Sequence, residues 1–135
     1  MSRLTDFLID NPVDNLTEEV VISERFKIGD ELLKFKIKAV SPEDFSNLQK
    51  KHTKIGKKGK TDFDSSAFNI ELVLDYTLEP NFRDADAIKR AKCLTPKQYI
   101  NKSLKAGELT DLVSEISKLS GFESDIEDIK EEAKN

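Results

Sequence analysis

"LLKFKIKAV", residues 32–40, alternates strictly from its second residue onward. Leu33, Phe35, Ile37 and Ala39 fall on one side of an extended chain, and Lys34, Lys36 and Lys38 on the other. Successive side chains of a strand point to opposite faces, so this period of two predicts a strand with one buried and one wet face. A helix would scatter the lysines through the apolar surface. Just upstream, Glu18–Phe26 carries Val20, Val21 and Ile22, and Gly29-Asp30 lies between the two runs. The pair is predicted to form an antiparallel hairpin.

Helical signals surround this hairpin. Leu4, Phe7 and Leu8 share one face of a short helix that must end before Asn11-Pro12. Ser41-Pro42-Glu43-Asp44 starts another, with Ser41 as cap, Pro42 in the first helical position and acids in the first turn. That helix, with Phe45 and Leu48 as its apolar side, should fade near His52. Ser65–Leu78 is apolar almost all round and reads as the central buried helix, although its β-branched and aromatic content also suits a strand. After the break at Glu79-Pro80-Asn81, short helices are predicted over Asp84–Lys92 and from Thr95-Pro96. Gly107–Leu119 is the clearest helix: Leu109, Leu112, Val113, Ile116 and Leu119 match helical spacing, and Gly121 stops it.

These elements predict an α+β fold in which an N-terminal antiparallel β-hairpin packs against a C-terminal set of about four to five short helices. Residues 1–122 form one domain. The tail over 123–135, with six acids and two lysines, is expected either to be disordered or to form a marginal helix on the stripe Phe122, Ile126 and Ile129. A docking helix there is the functional alternative.

The chain has 135 residues, of which 37% are apolar and 36% charged, with a net charge of −4. That suffices for a modest core under a heavily charged surface. The negative balance argues against general attraction to nucleic acid or membranes. One cysteine cannot form an internal disulfide, so a reducing compartment is expected. No apolar run approaches a membrane span, and the N-terminal stretch has no secretory pattern. A soluble, cytoplasmic protein is expected.

Candidate sites are few. "KIGKKGKTDFD", residues 54–64, invites comparison with a phosphate-binding loop. That loop needs a glycine, four residues, then Gly-Lys-Ser/Thr, leaving a buried strand and entering a helix. Here Gly56 is only three positions before Gly59, and the run leaves the polar end of a helix. The basic stretch Lys50, Lys51, Lys54, Lys57, Lys58 and Lys60 lacks the arginines and stacking aromatics of a specific nucleic-acid reader. It reads as a solvated loop, with a charged contact to another protein or to the chain's own acidic tail as the functional alternative. His52 and Cys93 stand alone in type, too few for a zinc site and without a nucleophile elbow. No catalytic residue, metal ligand or cofactor is expected.

The order of these pieces resembles the XkdN-like phage tail assembly chaperones of phages and prophages of Gram-positive bacteria. Four stretches carry the resemblance: Leu4-Thr5-Asp6-Phe7-Leu8; the hairpin Val20–Val40 with the basic segment Lys51-His52-Thr53-Lys54 behind it; "TLEPNFRDAD", Thr77 to Asp86; and "LKAGELTDLVSEISKLSGF", Leu104 to Phe122. Ala106 stands where the family usually has proline, and Leu109 where it has tyrosine. The resemblance implies a non-enzymatic protein that binds the long, helical tape measure protein in the host cytoplasm. It would keep that partner soluble until tail-tube subunits polymerise, and be absent from the mature virion. The tail tube protein is a further partner in this picture, and self-association into a homo-oligomer suits a coat on a long partner. The resemblance also implies a longer form made by frameshifting near the gene's end.

The resemblance fixes no binding residues. The partner-binding candidates are Leu109, Leu112, Val113, Ile116, Phe122, Ile126 and Ile129, or the exposed edge of the hairpin. Two rival classes are a nucleic-acid-binding regulator acting through Lys50–Lys60 and a structural tail completion protein.

Overall fold

A computed structural model describes residues 2–122. The strand pattern at 32–40 translates into a β-arm, in more pieces than the periodicity alone implies. β1 (Thr17–Val20) pairs antiparallel with β4 (Phe35–Lys38), with Thr17 opposite Lys38 and Val20 opposite Phe35. Between them β2 (Lys27–Ile28) and β3 (Glu31–Leu32) close a small ribbon around Gly29, whose φ of +61° suits the turn. Phe35, Ile37 and Ala39 are buried while Lys34 and Lys36 are exposed, as the alternation requires. Leu33 departs from it: it lies between the two ladders and stays 41% exposed. The run Glu18–Phe26 is strand only as far as Val20.

The central apolar stretch contains both structures its composition suits. α3 (Ser65–Tyr76), capped by the Asp64 carboxylate on the Ala67 amide, carries buried Phe68, Ile70, Leu72, Val73 and Tyr76. The chain then straightens into β7 (Thr77–Glu79), which adds to β4 and completes a three-stranded sheet in the order β1-β4-β7. The helix therefore stops two residues short of Leu78. A helix cannot continue up to Pro80, because the residue before a proline is driven to extended geometry.

The remaining helices follow their caps. α1 (Arg3–Asp10) is capped by Ser2, and α2 (Pro42–Lys51) by Ser41 with Pro42 at its first position. α4 (Ala85–Arg90) starts at Asp84 and α5 (Pro96–Ser103) at Thr95. In α6 (Ala106–Leu119) the Glu108 carboxylate accepts the Lys105 amide proton at 2.8 Å. The basic stretch predicted as a loop is instead a second hairpin, in which β5 (Thr53–Ile55) pairs with β6 (Thr61–Phe63) around a turn at Lys57–Gly59. Lys58 and Gly59 both take positive φ there.

One core joins these layers. Ile37 of the sheet, Leu72 and Val73 of α3, Ile100 of α5, and Leu112 and Ile116 of α6 are all essentially inaccessible. α3 packs against α6 and α5, and the inner face of β1-β4 closes on α6. The end of α6 is tied to the sheet by the Val40 amide, which donates to Ser120 Oγ at 2.9 Å. Ser120 Oγ in turn donates to the Ile116 carbonyl at 2.7 Å.

Candidate partner-binding surface

α1 has an apolar face that the described residues leave uncovered. Leu4, Phe7 and Leu8, at i, i+3 and i+4, share one side of the helix, and each is 60% exposed or more. No residue of the helix is buried. Helices in water are held mainly by burying such a face, so this one is folded by local means: the Ser2 cap on the Thr5 amide, and Asn11 returning both its backbone and side-chain N–H to the Phe7 carbonyl.

The apolar surface continues beyond α1. Phe7 meets Val13 and Leu16 across a hollow of about 220 Å³. Val13 and Leu16 then form one wall of a larger cleft, about 480 Å³, closed by Val40, Phe45, Leu119 and Phe122. The left-handed Gly121, at φ +86°, turns Phe122 back so that its ring lies 4.4 Å from that of Phe45. Helix face, hollow and cleft form a contiguous apolar tract on a protein rich in charge, the pattern that marks an interaction surface. A separate groove of about 400 Å³ is lined by Phe26, Phe35, Pro80, Phe82, Tyr99 and Leu104.

The stripe on α6 goes elsewhere. Leu112 and Ile116 are fully buried, and Leu109 and Val113 are half-buried against the core. Helical spacing identifies an apolar face without saying whether the chain itself covers it, and here α3 and the sheet do. A partner cannot reach Leu112 or Ile116 without opening the core. Phe122 is half-buried at the cleft, and Ile126 and Ile129 lie outside the described residues. The hairpin does leave β1 at an edge of its sheet. Val13 and Leu16 were not singled out by sequence reasoning, because their value lies in lining a cleft with residues distant in the chain. The uncovered face of α1 was legible as amphipathicity, but its exposure was not.

The lysines of the second hairpin are exposed, and acids stand among them. Lys51 Nζ pairs with Glu71 at 2.5 Å, and Lys54 lies opposite Asp62 across the ladder. Burial raises the Glu71 carboxyl, but hydrogen bonds from Lys51 and His52 outweigh this and hold it below the usual range. His52 faces Glu71 at 3.4 Å, whereas the Cys93 thiol donates weakly to the Ala91 carbonyl, so the two do not form a pair. A polar pocket of about 390 Å³ lies between Lys38, Asp44, Lys51, Glu71, Asp75 and Tyr76. Burial, then the charges of Asp44 and Asp75, pushes the Tyr76 phenol up to about 12, so it stays protonated. Among the described residues, no group of three or more His, Cys, Asp or Glu side chains is placed to hold a metal ion. No helix among them is long and apolar enough to cross a membrane.

The chain is 32% identical over 124 residues to phage-like element PBSX protein XkdN of Bacillus subtilis strain 168, covering 87% of this chain and 83% of that protein. It is 28% identical over 139 residues to the uncharacterized protein YqbN of the same strain, covering 98% of this chain and 93% of the other. Its fold matches the crystal structure of YqbN with a TM-score of 0.69 at 22% identity, over 91% of this chain and 99% of that one. The phage XkdN-like tail assembly chaperone family matches residues 4–134. With nearly the whole chain inside that match, and an apolar tract that its own core leaves uncovered, this protein belongs to the phage XkdN-like tail assembly chaperone family.

Proposed function

We propose that this chaperone binds the tape measure protein of its phage and keeps it soluble in the host cytoplasm until the tail tube forms, without catalysing a reaction. The observation that carries this reading is α1, a helix whose Leu4, Phe7 and Leu8 are left exposed by the described residues. A long helical polypeptide aggregates through its own apolar stripes, and a chaperone must offer a surface that competes with self-association. The face of α1, running through Val13 and Leu16 into the Phe45–Phe122 cleft, presents aromatic and aliphatic groups suited to receive an amphipathic helix. Arg3, Asp6 and Asp10, exposed on the same helix, keep the apolar centre modest, which suits a holder that later releases its partner.

Co-expression tests this directly. The tape measure protein of the same phage should co-purify with it and shift from the pellet to the soluble fraction. A tape measure protein that stays insoluble and unassociated at micromolar concentrations contradicts the proposal. Salt-sensitive binding to mixed DNA, abolished by neutralising Lys57, Lys58 and Lys60, would favour the nucleic-acid class instead. Recovery of the protein in mature particles would favour a structural tail component.

A further inference from the structure

We propose that the basic β5–β6 hairpin is a docking site for the chain's own acidic segment, residues 123–135. From Lys50 to Lys60 the sequence carries six lysines and no acid, Lys50 and Lys51 at the end of α2 and the other four in the hairpin. The turn at Lys57–Gly59 lifts Lys57, Lys58 and Lys60 to the exposed end of the hairpin. The C-terminal segment carries Glu123, Asp125, Glu127, Asp128, Glu131 and Glu132 against Lys130 and Lys134. The two stretches are the strongest opposite concentrations of charge in the molecule.

The fold brings the start of one toward the base of the other. Phe122, after which the acidic segment begins, stacks on Phe45 at 4.4 Å. Phe45 meets Phe68 at 5.6 Å, and Phe68 meets Phe63 of β6 at 5.2 Å. A continuous line of four rings thus runs from the exit of the segment to the root of the basic hairpin, spanning about 15 Å at most. Thirteen extended residues reach roughly 40 Å, so the segment can pass the root and still cover the turn. Acids along the way oppose it: Glu43 and Asp44 at the start of α2, and Asp62, Asp64 and Glu71 beside the hairpin. Lys57 and Lys58 lie in the turn, outside the paired residues Thr53–Ile55 and Thr61–Phe63. This contact is independent of which partner the apolar tract holds.

Lysine reactivity in the full chain tests the proposal. Limited acetylation, read by mass spectrometry, is compared between wild type and a variant with all six acids neutralised (Glu123→Gln, Asp125→Asn, Glu127→Gln, Asp128→Asn, Glu131→Gln, Glu132→Gln). In 20 mM salt, roughly, Lys57, Lys58 and Lys60 should react about threefold more slowly in wild type, and the difference should vanish near 0.5 M, where exposed charges are screened. Lys97 on α5 serves as the unaffected control. Equal reactivity of the three lysines at low salt overturns the proposal, as does protection confined to Lys34 and Lys36. Protection that appears only as protein concentration rises overturns docking within one chain.

Discussion

Arg25 donates its Nε and Nη2 protons to the two carboxylate oxygens of Glu108, both at 2.7 Å, joining positions 83 residues apart. The same Nη2 reaches the Ser103 carbonyl at 2.7 Å, and the guanidinium carbon sits 4.4 Å from the centre of the Phe26 ring. One side chain thereby fastens the β-arm to the start of α6. Fork-to-fork geometry makes this the strongest kind of side-chain ion pair.

The hydrogen bonds from Arg25 hold the Glu108 carboxyl down to about 2, against the opposing effect of burial and with help from the Lys105 amide. The folded value lies below the ordinary 4.5, so the stabilisation is fully present above that value and is lost as pH falls toward 2. Glu108→Gln should lower the urea midpoint at neutral pH. The gap between wild type and variant should close as pH falls from about 5 to about 2. A gap that is unchanged over that range contradicts the assignment.

Ile116→Ala should destabilise the fold by about 2–5 kcal/mol, because the side chain is fully enclosed between α6, α3 and the sheet. Denaturant unfolding reads this directly. A change below about 0.5 kcal/mol would place Ile116 on the surface and restore α6 as a docking face.

Thr77 Oγ1 is buried with no hydrogen-bond partner among the described residues. Thr77→Val keeps the shape of the side chain and removes the stranded hydroxyl. Stability should rise by about 1 kcal/mol. A loss of stability in the unfolding curve would mean the hydroxyl has a partner.

The arm was legible where two signals agreed. Alternation through Phe35, Ile37 and Ala39, with a glycine turn before it, fixes which face is buried. Ser41-Pro42 and Thr95-Pro96 each begin a helix where their side chains suggest. The fold departed from local signals where long-range pairing decided. Thr77–Glu79 becomes a strand because β4 has a free edge beside it, and Thr53–Phe63 becomes a hairpin because its two polar arms can pair with each other. The same limit explains the binding surface. Leu112 and Leu4 both lie on amphipathic helices, but only the three-dimensional packing shows that one stripe is enclosed and the other is not. The Arg25–Glu108 clamp was equally hidden, since no local spacing links residues that far apart.

The uncovered face of α1 carries the account, and its removal is the most direct test. The variant Leu4→Ser, Phe7→Ser, Leu8→Ser alters only exposed positions, so its unfolding midpoint should match wild type. Its affinity for the purified tape measure protein, measured by titration, should fall by about 30-fold or more, as loss of an apolar anchor cluster requires. Unchanged affinity with an intact fold would contradict the account, because the tape measure protein would then be held by some other surface.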